Sequence, residues 1–173
     1  GMVVDGMAAL AANANTNIEQ LGAGFSFAAP GAAAAGVEFK EVGAVMGVLS
    51  DAGIQGTRAG TSFNAMLREM QNATVSEKEE LRNLGVELTD SEGKLRPMID
   101  VVGDLEQANL SSAQTLRFFG DEGALGINAL VGAGTERLGE LINVIEKSGG
   151  AAETMANTKL KTYEGSIKLM GSA

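Results

Sequence analysis

Three times in this chain an apolar-periodic run ends in a glycine followed by an aliphatic residue: Gly36-Val37, Gly53-Ile54 and Gly85-Val86. Glycine takes the left-handed conformation that closes a helix, and the aliphatic residue behind it packs back on the helix it ends. A chain stopped this often cannot be one long rod and must fold back on itself. The intervals are too uneven for a solenoid repeat. The expectation is a mainly α fold, a compact multi-helix bundle of short glycine-terminated helices.

The most informative stretch is 48–70. Before it, Val42, Val45, Met46 and Leu49 fall at helical spacing, and within it Phe63, Met66, Leu67 and Met70 repeat that spacing. Between them Gly53 reads as a helix stop, Gly56 as a turn and Gly60 as a close-packing point, with small Ala52 and Ala59 beside them. Thr57 is the expected N-cap. This predicts helices over roughly 39–52 and 58–71.

A first helix is expected over 3–14, with Val3, Met7, Leu10 and Ala14 on one face and Asn13, Asn15 and Asn17 marking its end. Thr16 and Glu19 read as a capping box for a helix carrying Ile18, Leu21, Phe25 and Ala28 inward. Pro30 should kink or break that helix. Ser76 with Glu79, and Ser111 with Gln114, read as two further capping boxes. Over about 86–96 a small β-hairpin is expected, with Val86 and Leu88 leading into a turn at Asp90-Ser91-Glu92-Gly93 and Leu95 returning. Pro97 suits a first helical position ahead of Met98, Val101, Val102 and Leu105. Leu116 and Phe119 face inward from the next helix. Gly120, Gly123 and Gly126 punctuate the segment after it. Leu125, Ile127, Leu130 and Val131 cover most of a helix expected to be central and buried. Thr135 is the expected cap of a helix with Leu138, Leu141, Ile142 and Ile145 inward, stopped at Ser148-Gly149-Gly150. Ala156, Leu160, Tyr163, Ile167 and Met170 then recur at heptad spacing on a last helix over about 151–170, where a coiled coil could begin.

Composition limits the function. The chain has 173 residues, a net charge of −9, no histidine, no cysteine and no tryptophan. The acidic balance argues against phosphate-neutralising contact with nucleic acid, although residues 159–173 hold three lysines against one glutamate, read as a solvated helix face. The absence of His and Cys removes the usual zinc sites and thiol or imidazole mechanisms. Carboxylate pairs remain, Asp100 with Asp104 and Asp121 with Glu122, but acids on the first turn or wet face of a helix explain them more simply. A calcium loop placed on Gly93 puts Leu88 at the first ligand position, which cannot coordinate. Gly56 to Gly60 and Gly132 to Gly134 hold fragments of phosphate-loop patterns without the GK[ST] ending. Met46, Met66 and Met70 fall on core faces, where adaptable packing accounts for them. No catalytic residue, cofactor or metal site is assigned. Gly36, Gly53, Gly56, Gly60, Gly85, Gly93, Gly120 and Gly149 are read as structural positions. Gly1 ahead of Met2 reads as an expression scar, and the helical pattern runs to the C-terminus. One helical domain over 1–173, excised from a longer chain, is therefore expected.

An ordered set of motifs carries a resemblance: NANTNIEQLG, FAAPGAAAAGVEF, VGAVMGVLSDAGIQGTRAGTSFNAML, LRNLGVELTDSEGKLRPMIDVVGDL, LRFFGDEGALGINALV and TYEGSIKLMGSA. In this order the chain, from about Ala8 to Ala173, resembles the core domain of phage tail tape measure proteins. The resemblance implies a structural segment that acts in virion tail assembly and length determination, located in the tail lumen and, during assembly, in the host cytoplasm. It implies contacts with tail tube, baseplate or initiator proteins and assembly chaperones, self-association in the full-length protein, and no enzymatic activity. Two rival expectations are a small peptidoglycan-cleaving domain and a helical module that meets a membrane during genome delivery.

Overall fold

The three glycine–aliphatic endings close with the same pair of backbone hydrogen bonds. The amides of Val37, Ile54 and Val86 donate to the carbonyls five residues back, those of Ala32, Leu49 and Leu81, at 2.8–2.9 Å. The glycine amides donate to the carbonyls three residues back, at 3.0–3.2 Å. Gly36, Gly53 and Gly85 hold φ of 76°, 85° and 93°. Val37, Ile54 and Val86 are buried, as are the residues whose carbonyls they reach, so each stop also contributes to the core.

The computed structural model describes residues 2–148, with side chains from residue 4 onward. Its helices are α1 Met2–Asn13, α2 Ile18–Ala35, α3 Phe39–Asp51, α4 Thr57–Asn72, α5 Val75–Asn83, α6 Met98–Ala108 and α7 Ser112–Ser148. Two glycines break α7: Gly120 (φ 68°, ψ 178°) and Gly134 (φ 83°, ψ 169°) divide it into segments 112–119, 121–133 and 135–148. This broken element packs on α1, α3, α4 and α6, while α2 lies along α4. The predicted apolar faces of α3, α4 and α6 are all buried, and Phe25 of α2 stacks on Phe39 of α3 with centroids 5.2 Å apart. Arg137 ties three elements, pairing with Asp51 at 2.9 Å and donating to the Asn13 carbonyl at 2.6 Å.

The crossings are close because glycines make them. A methyl group at Gly60 of α4 would lie 2.6 Å from the Gly24 carbonyl oxygen and 2.7 Å from Phe27 Cβ of α2. At Gly43 and Gly47 of α3 it would meet the tips of Ile145 and Leu141 of α7 at 2.6 and 2.7 Å.

Several expectations are corrected. No β-hairpin forms: the described residues hold one antiparallel bridge, Thr89 to Leu95, and no strand. The return arm carries a single apolar residue before Pro97 turns the chain into α6, and the Asp90 carboxylate organises the turn by accepting the Glu92 and Lys94 amides. Helix α2 is not broken at Pro30. Pro30 and Ser26, whose carbonyl loses its partner, both face water, so the freed acceptor is solvated. Two of the expected capping boxes do not form. Asn17, a stronger cap than Thr16, accepts the Gln20 amide at 2.8 Å. Thr74 and Glu77 form the reciprocal box ahead of α5, starting the helix two residues earlier than Ser76 would have.

The Ser111–Gln114 box has both arms, at 3.1 and 2.9 Å. Gly56 precedes Thr57 as the N-cap of α4, and Pro97 is the N-cap of α6, not its first residue. Ile18 and Leu116 are about half exposed (46% and 48%), each in the first turns of its helix, where the chain has barely entered the core. Segment 121–133 is buried on one face only, since Asn128, Gly132 and Ala133 meet solvent. The expectations on Val3, Gly149 and the helix over 151–170 lie outside the described side chains and residues.

The α2–α4 crossing is testable. Gly60→Ala is expected to lose about 1–3 kcal/mol in urea unfolding, because backbone must move. Gly22→Ala, in the same helix pair but with open space at its Cβ, is expected to gain up to about 1 kcal/mol. Equal melting behaviour of the two variants would contradict the crossing.

Candidate functional site

Of the carboxylates that the sequence offers for chemistry, Asp104 is held by the fold. Asp104 Oδ2 accepts Nη1 of Arg96 at 2.6 Å and the Glu87 amide at 3.1 Å, and Arg96 also donates to the Glu87 carbonyl at 2.7 Å. That network pins the 86–96 loop to α6 and leaves Asp104 with a structural task. Asp100 stands exposed on the first turn of α6, so the pair does not work as a unit. Asp121 and Glu122 are exposed on the first turn after Gly120. The Glu122 carbonyl accepts the hydroxyl of buried Ser62 at 2.9 Å, a contact between α4 and α7.

The glycine patterns close on protein. The Gly56–Gly60 stretch is filled by the α2 backbone, as the Gly24 contact shows. At Gly134 the Glu106 carboxylate takes the place an anion would take, accepting the Thr135 amide at 2.7 Å. Thr135 is therefore capped by a side chain from α6 and does not itself cap the segment. Among the described residues no group of three or more acidic, His or Cys side chains is placed to hold a metal ion. No described helix is long and apolar enough to cross a membrane.

An open cleft of about 450 Å³ lies between α3, α6 and α7. Ile99, Ile142 and Pro97 give it apolar walls; Glu38, Glu41, Asp100 and Glu146 line it with charge. Lys40 pairs with Glu146 at 3.0 Å and Glu38 at 3.5 Å. Half-buried Glu41 accepts the Met98 amide at 2.7 Å, capping α6 from a neighbouring helix. Burial pushes the Glu41 carboxyl above its ordinary range, the Met98 amide opposes that, and the nearby Glu38 charge reinforces it. The cleft thus holds an acid committed to a helix end.

Comparison with known proteins places the chain among tail proteins. The family model for phage-related minor tail proteins matches residues 1–121. The chain belongs to that family. It is 30% identical over 179 residues to the tape measure protein of Pneumococcus phage Dp-1, covering 100% of this chain and 16% of that protein. It is 32% identical over 157 residues to the probable tape measure protein of Escherichia phage P2, covering 86% of this chain and 19% of that protein. The chain spans less than a fifth of either relative. No solved structure matches it. The resemblance drawn from the ordered motifs therefore holds, and the chain is a structural segment of the tape measure kind.

In this minor tail protein the residues that sequence reasoning missed are the caps supplied across elements. Glu41 and Glu106 sit on helix faces that periodicity reads as wet, far in sequence from the amides they satisfy. A signal did exist for Glu106, since a break at Gly134 leaves the Thr135 amide without an acceptor in its own helix.

The raised pKa of Glu41 has a definite sign. The folded state holds this proton more tightly than the unfolded state, so the contribution to stability is greatest at low pH. It falls as pH rises from the ordinary carboxylate range through the raised folded value. Glu41→Gln keeps an acceptor for the Met98 amide without the buried charge. Its melting temperature is expected to exceed that of the parent chain at neutral pH, with the gap closing in acid. Glu41→Ala, which loses the cap, is expected to melt lower, by the equivalent of about 1 kcal/mol.

Proposed function

We propose that this chain is a folded anchoring and assembly module within a phage or prophage tail tape measure protein, rather than a length of its measuring rod. The observation that supports this is the stopped helices. Fully helical, a chain of this length would reach about 260 Å at ~1.5 Å per residue. The longest described helix without a break, α2, has 18 residues, about 27 Å at the same rise. A module folded in this way adds little to tail length and offers a shaped surface to other tail proteins.

On this reading the parent protein occupies the lumen of the virion tail after assembly in the host cytoplasm. Its partners are the tail tube protein, baseplate or initiator proteins and assembly chaperones, with self-association of the full-length chain and membrane contact during genome delivery. The reading assigns no cofactor, no nucleic-acid contact and no catalysis to this segment. Support for the last point comes from the commitment of Asp104 and Glu41 to backbone amides and from the exposed, unassisted positions of Asp100, Asp121 and Glu122.

The decisive experiment is an in-frame deletion of these residues in the parent phage. Failure of tails to assemble is expected. Intact tails shorter by about the fully helical length would place the segment in the rod and defeat the module reading. On cell-wall zymograms the purified chain is expected to leave no clearing. Lysis that an Asp or Glu substitution abolishes would transfer the segment to the peptidoglycan-cleaving class.

A further inference from the structure

The cleft between α3, α6 and α7 exists because α3 and α6 both pack on α7 but scarcely on each other. The last turns of α7 form its floor, with Gly139, Ile142, Asn143 and Glu146 lining it. Ile99 and Ile142 are left half-buried there. A methyl group at Gly139 would rest 3.6 Å from the tip of Ile99, an ordinary contact, so the described neighbours do not require glycine at this mid-helix position. Glycine there costs helix stability and leaves the floor open to a close neighbour. The charge of the cleft is also unbalanced. Lys40 is committed to Glu146 and Glu38, and Glu41 to the Met98 amide, while Asp100 has no ion pair among the described residues. Four carboxylates thus share the walls with one ammonium group.

One segment of this chain has the complementary sequence. The floor of the cleft ends at Glu146, and residues 149–173 follow α7 directly. Gly149 and Gly150 come first, a pair that permits the chain to reverse. Ala156, Leu160, Tyr163 and Ile167 then recur at helical spacing, with Lys159, Lys161 and Lys168 beside them. In a reversal centred on the two glycines, positions equally far from it come level. Gly139 stands ten residues before Gly149 and Leu160 ten after Gly150; Asn143 and Ala156 stand six away on either side. We propose that residues 151–170 occupy this cleft as an antiparallel helix turned back at Gly149-Gly150. Leu160 fills the gap at Gly139 beside Ile99, and the lysines meet the cleft carboxylates. The occupant buries apolar wall that the described residues leave half open and offsets the excess of acid. It also withdraws the heptad column from other helices, so any partner of that column must first displace it. This assignment concerns which part of the chain fills the cleft, and it stands or falls separately from the anchoring role.

Tyr163 is the only tyrosine and the chain has no tryptophan, so its emission reports on this segment alone. In the full chain, quenching of Tyr163 by acrylamide is expected to be several-fold weaker than that of free N-acetyltyrosinamide. Gly139→Leu fills the cleft and improves the helix, and Asp100→Lys reverses the unpaired charge. Each is expected to restore quenching while helical circular dichroism is kept. A water-soluble carbodiimide joins carboxylates to amines in contact. On the unsubstituted full chain it is expected to link Lys159, Lys161 or Lys168 to Asp100, Glu38 or Glu146, and not to the exposed Asp121 and Glu122. Mixing isotopically light and heavy chains separates links within a chain from links between chains. Equal quenching of Tyr163 in the parent chain and both variants would overturn the proposal. So would links spread evenly over cleft acids and Asp121 and Glu122, or no links to the cleft acids. Links that join light to heavy chains would overturn it as well, by placing a second copy in the cleft.

Discussion

The contact on which this structure depends is backbone against backbone, where α2 and α4 cross at Gly24 and Gly60. With only 4% aromatic residues the chain has few large side chains to bury. It gains attraction instead from atoms brought close together, and a void there would have no neighbour to fill it. The crossing sets the height of α4 over α2. From that height Phe63, Met66 and Met70 reach the interior and Phe25 meets the Phe39 ring. The glycines of α3 repeat the arrangement against Ile145 and Leu141. A bundle of thin helices can therefore be closely packed without being rich in bulky residues.

The acidic character of the chain has a structural side that composition alone does not show. Glu41, Glu106, Asp104 and Asp90 each accept a backbone amide outside their own helical ladder. Two of those amides open helical segments, where unpaired donors and the helix dipole both favour a carboxylate. Many short segments mean many open ends, and acids from neighbouring elements close two of them.

Helix existence and the inward faces of α3, α4 and α6 were legible because apolar spacing records burial directly. The Ser111 box and the glycine–aliphatic endings were legible because their partners lie within six residues. Errors arose where two local solutions competed. Thr16 and Asn17, like Ser76 and Thr74, each offered a cap in register with an acid or amide, and only the whole chain chose between them. Alternation at Val86 and Leu88 suggested a strand, yet the segment found its anchor in Arg96 and Asp104 and needed no ladder. Pro30 was judged as an interior break, whereas its exposed face let water take the orphaned carbonyl. Cross-element caps were beyond reach, because nothing local ties Glu41 to Met98. The zinc, thiol and imidazole chemistries were set aside on residue types that the chain does not contain.

The three helix stops are built almost wholly from main chain. Each asks for one glycine and one aliphatic residue and places no demand on the side chains around them. Such a joint is indifferent to most of the substitutions that accumulate in surface positions. A fold assembled from joints of this sort can drift far in sequence while its helices keep their lengths and directions. Divergence among tail proteins that carry it is then a poor measure of how far their shapes have moved apart.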